Sequence, residues 1–147
     1  MITEKQLESE FIKAIKDIIE LDYNAIAAYE AAIDRLEKEE TKQALQDFKK
    51  DHERHVEELS SFIKSKNEDP PTGPSLKSAF TKGKVMLANL IGDMTILMAM
   101  KSNEIDTNIA YERINNCPNI PEEVSDLLKQ GLEDERRHLA WLEKNIF

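Results

Sequence analysis

DHERHVEEL at residues 51–59 and DERRHLAWL at residues 134–142 decide the fold. They agree in Asp51 and Asp134, Arg54 and Arg137, His55 and His138, and Leu59 and Leu142. In each, the histidine falls on an apolar stripe of helical period. The first stripe is Leu45, Phe48, His52, His55, Leu59, Phe62, and the second is Leu128, Gly131, Glu135, His138, Leu142. Residues three and four apart share one face of a helix, so His52, His55, Glu135 and His138 point where leucines point.

Outward from these stretches, each half supplies one more inward carboxylate. Asp22 lies among Ile15, Ile18, Ile19, Ala25, Ile26 and Tyr29, and Glu104 lies on the line of Leu97, Met100 and Tyr111. Asp22 is seven residues before Tyr29 and 33 before His55, while Glu104 is seven before Tyr111 and 34 before His138. Such a pseudo-repeat implies a pseudo-two-fold axis, with all six polar groups at similar heights. Side chains leaning toward their helix N-termini bring those heights closer.

The flanking sequence predicts four main helices. Thr3 and Gln6 make a capping box for a first helix over about Glu4 to Glu39, and Thr41 caps a second that ends before NEDPPTGP at 67–74. Asp93 starts the third, and Pro121, after the loop NNCPNI, opens the fourth. Short links make two antiparallel hairpins, whereas the connection from Asn67 to Gly92 is far longer than an up-and-down bundle needs. It carries a further amphipathic segment capped by Ser75, with Leu76, Ala79, Phe80, Leu87, Leu90 and Ile91. The expected fold is all-α: one domain over residues 1–147, two hairpins joined by a long crossover that contains an extra helix, with the second and third helices parallel.

Composition bounds the function. With 147 residues, 4 Gly and 5 Pro, the chain suits one helical domain. A net charge of −9 disfavours nucleic acid and anionic membrane surfaces. The most apolar stretch, Val85 to Met100, is interrupted by Asn89 and Asp93 and is too short to span a bilayer. A single cysteine, Cys117, and the polar start MITEKQLESE point to the cytoplasm. No role falls to Cys117. Val85, Met86 and Ala88 add apolar surface that a homo-oligomer would bury.

An inward histidine taken alone is usually a hydrogen-bonded core residue, and an inward carboxylate is usually paired with Lys or Arg. Here every histidine of the chain falls on an inner stripe and no Lys or Arg shares those positions. Three carboxylates and three imidazoles in one core suit divalent Fe, Mn or Zn. The candidate ligands are Asp22, His52, His55, Glu104, Glu135 and His138, holding two ions. Tyr29 and Tyr111 are expected to pack with their hydroxyls bonded to nearby carboxylates.

This pattern resembles the ferritin-like superfamily, bacterioferritin and rubrerythrin-type proteins in particular, over nearly the whole chain. In that family each half supplies a lone Glu and a Glu-x-x-His pair. The resemblance matches Glu104, Glu135 and His138 to the second half, and Asp22 and His55 to the first. His52 stands where the family has a bridging Glu, so one bridge is missing and a zinc or mixed site becomes open. What the resemblance implies is a di-iron oxidoreductase, ferroxidase or peroxide-reducing, acting on O2 or peroxide, as in small ferritin-like proteins some of which are linked to stress responses. Lacking a four-cysteine rubredoxin-like site, it would draw electrons from added Fe(II) or a separate donor. The alternatives are a metal-storage or metal-stabilised structural protein, and a metal-free bundle with a hydrogen-bonded polar seam.

Overall fold

The computed structural model describes residues 3–75, 87 and 90–146. The described residues form four helices: α1 (Glu4–Arg35), α2 (Glu39–Ser65), α3 (Asp93–Asn115) and α4 (Glu122–Asn145). Among the described residues no helix is long and apolar enough to cross a membrane. The capping box is present, with Gln6 N–H donating to Thr3 Oγ1 and Thr3 N–H to Gln6 Oε1.

The first turn departs from expectation. α1 stops at Arg35, and α2 starts before Thr41, which is buried inside its first turn and caps nothing. The cause is tertiary: the backbone N–H groups of Glu37 and Lys38 donate to the Asp93 carboxylate at 2.9 and 3.0 Å. These donors would otherwise sit at a chain reversal, so a carboxylate from another helix ends one helix and starts the next.

That contact also sets the topology. It places the α1–α2 turn beside the start of α3, while Lys66, just past α2, pairs with Glu123 at the start of α4 at 3.4 Å. α2 and α3 therefore run parallel, and the chain between Ser65 and Asp93 must return along the bundle. α2, with 27 residues, is about 40 Å long. Leu87 of this connection is buried; the extra helix expected after Ser75, and the apolar surface of Val85, Met86 and Ala88, lie outside the described residues. Each helix packs on two neighbours, α1 on α2 and α3, and α4 on α3 and α2, so the four helices form a square around a shared core.

Along α1 the buried face is Ile12, Ile15, Ile18, Ile19, Asp22, Ala25, Ala28, Tyr29 and Ala32, whereas Ile26 and Ile33 are half-buried. Small alanines there leave room for the rings of Tyr29 and Phe48, whose centroids are 6.3 Å apart. The apolar core forms two clusters. One gathers Ala28, Leu36, Leu45, Ile96, Met100 and Leu142, the other Ile15, Ile19, Leu59, Ile63, Ile114 and Leu128. A polar layer separates them.

Candidate metal centre

That layer is built from all four helices. α1 contributes Asp22, α2 His52 and His55, α3 Glu104, and α4 Glu135 and His138, and every one is buried. The structure brings all six expected residues together in two overlapping groups. Asp22, His52, His55 and Glu135 form one, and His52, Glu104, Glu135 and His138 the other; within each group the ligand atoms lie within 4.8 Å of one another. Glu135 belongs to both. Its Oε1 is 3.4 Å from His52 Nδ1 and 3.6 Å from His55 Nδ1, and its carboxylate lies 3.7 Å from His138 Nδ1 through Oε2.

Two buried atoms, Glu135 Oε1 and His138 Nδ1, make no hydrogen bond to any described residue. A buried polar atom left without a partner costs about 1–3 kcal/mol, and both atoms point into the donor clusters. A divalent cation would satisfy them, and the donor set of carboxylate oxygens and imidazole nitrogens fits one.

An outer shell, absent from the expectation, holds these groups in place. His55 Nε2 donates to Asp134 Oδ2 at 2.8 Å, and His138 Nε2 donates to Asp51 Oδ2 at 2.7 Å. Once a ring is neutral, its carboxylate acceptor holds the remaining proton on Nε2, so Nδ1 is the atom turned to the centre. Each Asp stands on the helix next to that of its histidine, α4 for His55 and α2 for His138. Arg54 pairs with Asp51 and Asp134, as does Arg137, closing the rim. Asp51 and Asp134 are one residue off the inner stripes, and their agreement in the two repeats was the only signal for them.

The tyrosines bond as expected, and they do so across the pseudo-axis: Tyr29 to Glu104, and Tyr111 to Asp22 Oδ2 at 2.6 Å. Thr107, one turn after Glu104, breaks the symmetry. Its hydroxyl lies 3.0 Å from Glu104 Oε2 and 2.9 Å from Glu135 Oε2. Gly131 makes room for Tyr111, because a Cβ there would collide with the edge of the ring. Gly131→Ala should therefore destabilise the fold: overpacking costs about 1–3 kcal/mol, against about 1 kcal/mol gained in helix propensity. A lower denaturation midpoint with unchanged slope is the expected reading.

Burial dominates the electrostatics, and the partners decide its outcome. Burial alone would raise Asp22, but hydrogen bonds from His52 and His55 hold it below the carboxylate range. Glu104 is likewise driven well down by His138 and His52 in spite of burial. Glu135 is pushed up to about 7 by burial, with His52 opposing and the Glu104 carboxylate assisting. Burial would lower the histidines, yet bonds to Asp134 and Asp22 raise His55 to about 9, and the bond to Asp51 with the nearby carboxylates of Glu104 and Glu135 raises His138 to about 10.

A pH dependence follows for the metal-free protein. Raised histidines contribute stability that is complete below their ordinary value of 6.5 and is lost as pH rises through 9 to 10. The raised Glu135 adds a loss between 4.5 and about 7. The melting temperature of the metal-free protein should thus fall from pH 4.5 to pH 10. With metal the slope should reverse over the neutral range, because ions bind the deprotonated ligands. Melting curves at both loadings check this.

The geometry can be set beside known proteins. A family model described as a domain of unknown function (DUF2383) matches residues 10–116, which include Asp22, His52, His55 and Glu104 and stop before α4. The bacterioferritin-related protein from Bacteroides fragilis, characterised as a dodecameric thioferritin, superposes with a TM-score of 0.73 at 17% identity, covering 92% of this chain and 83% of that one. A conserved hypothetical protein from Mycobacterium tuberculosis also gives 0.73, at 12% identity, covering 92% of this chain and 96% of that one. At such identities the likeness is one of fold, and the fold is the ferritin-like four-helix bundle. No curated protein matches the chain.

Proposed function

The chain belongs to the DUF2383 family, and we propose that its buried polar layer holds two divalent metal ions, Fe in the working protein, for an oxidoreductase reaction of the ferroxidase or peroxide-reducing kind. The observation that carries this reading is the pair of overlapping donor groups with two orphaned atoms, Glu135 Oε1 and His138 Nδ1, at their centre. When bound, two Fe(II) ions supply two electrons to O2 or peroxide. The chain's own residues do the rest. Asp22, His55, Glu104 and His138 hold the ions from outside, Glu135 spans both groups, and Tyr29 and Tyr111 fix the carboxylate orientations. The apolar clusters on either side exclude bulk water. A cavity of about 10 Å3 beside Arg54, His55, Tyr111 and Gln130 has room for about one water.

Electrons come from added Fe(II) or from a separate donor, and the chain works in the cytoplasm as a homo-oligomer. Met98, Ile105 and Ile109 along the outer face of α3 are exposed large apolar side chains that a copy would cover, and the Bacteroides fragilis relative is itself dodecameric. A second reading, metal storage or a metal-stabilised structural protein with Zn or Mn admissible, is favoured by His52, which adds no negative charge to the site.

Anaerobic Fe(II) loading followed by peroxide or O2 separates the two. Oxidation faster than that of Fe(II) in buffer supports the oxidoreductase. Bound iron oxidised no faster than in buffer leaves the storage or structural reading in its place.

A further inference from the structure

His52 stands between the two donor groups with one ring nitrogen toward each. Its Nδ1 is 2.7 Å from Asp22 Oδ1 and 3.4 Å from Glu135 Oε1, on the side of His55. Its Nε2 is 3.3 Å from Glu104 Oε1, on the side of His138. Glu135 also faces both sides, but a carboxylate has an acceptor oxygen for each. A neutral imidazole has one lone pair and one N–H, so His52 can ligate one ion and must turn a hydrogen toward the other.

Which nitrogen keeps the hydrogen follows from the heavy atoms. The 2.7 Å contact with Asp22 is the strong charge-assisted bond, and it retains the hydrogen on Nδ1, which leaves the lone pair on Nε2. The partners of Asp22 add to this: it is already engaged by His52, His55 and Tyr111. The two atoms without a hydrogen bond to a described residue divide between the sides, Glu135 Oε1 facing that of His55 and His138 Nδ1 the other, so the His52 ring is what makes the sides unequal.

Resting on the two-metal reading, the geometry points to an unequal pair of sites. The tight site is formed by His52 Nε2, Glu104, Glu135 and His138 Nδ1. The weak one is formed by Asp22, His55 Nδ1 and Glu135, with the His52 N–H facing it. The pseudo-two-fold sequence repeat thus encloses a centre that fills in order, second half first.

The chain's three histidines make the test direct. Metal-free, 15N-labelled protein is titrated with Zn(II), following the ring nitrogens by NMR with a chromophoric chelator in parallel. The first equivalent should shift His52 Nε2 and His138 Nδ1 and leave His55 Nδ1 unchanged, and the second should bind about tenfold or more weakly, the range a lost supporting contact produces. His52→Glu, which offers an oxygen to each side, should raise the affinity of the weak step toward that of the tight one. Equal wild-type affinities, or His55 shifting with the first equivalent, would overturn the inequality and leave the two-metal reading intact. Absence of Zn(II), Fe(II) and Mn(II) binding sinks both.

Discussion

Chelating the metal from the loaded protein should lower its melting temperature by roughly 8–16 °C while leaving the helices formed. Binding to the native state alone contributes about 4 kcal/mol when free metal exceeds Kd about a thousandfold, and for a chain of this size each kcal/mol is worth roughly 2–4 °C. The size of the shift reflects what the ions replace: without them Glu135 Oε1 and His138 Nδ1 are buried with no hydrogen bond to a described residue, and the Glu104 and Glu135 carboxylates crowd one another in the layer. Helix content should survive because two apolar clusters bracket that layer, each packed by all four helices. Calorimetry with and without chelator, with circular dichroism of the stripped protein, reads both parts. An unchanged melting temperature, with no metal found by elemental analysis, would remove the metal centre and leave a hydrogen-bonded polar seam.

Asp51→Asn and Asp134→Asn should each weaken metal binding about 10- to 100-fold without touching a ligand. Asp51 anchors the outer nitrogen of His138, and Asp134 that of His55, so each substitution loosens one ring and makes its inner nitrogen a poorer donor. The two effects should fall on different steps of a metal titration, Asp51→Asn on the site of His138 and Asp134→Asn on that of His55. Competition against a chelator of known affinity measures both. If neither variant moved any binding step, the Asp–His pairs would be packing features of the rim.

Much of the site is legible in the chain because the physics behind it is local. A helix repeats every 3.6 residues, so each of the six buried groups declares its inward direction through the apolar residues three and four positions away. The near-equal spacings from Asp22 to His55 and from Glu104 to His138 put those directions at one level. Thr107 and Gly131 lie on the same inner faces, yet nothing local distinguishes a threonine that touches two carboxylates or a glycine that seats a tyrosine ring.

From the sequence alone came four helices with apolar inner stripes, two hairpins, a long crossover and the inward set Asp22, His52, His55, Glu104, Glu135 and His138, since all of these follow from periodicity and chain connectivity. Tertiary structure alone decided where α1 ends, because the determinant is the carboxylate of Asp93, 56 residues from the Glu37 N–H it accepts. It also decided that Asp51 serves His138 and Asp134 serves His55, across 87 and 79 residues. Those contacts depend on which helices pack side by side, and no repeat within a single helix encodes the identity of its neighbour.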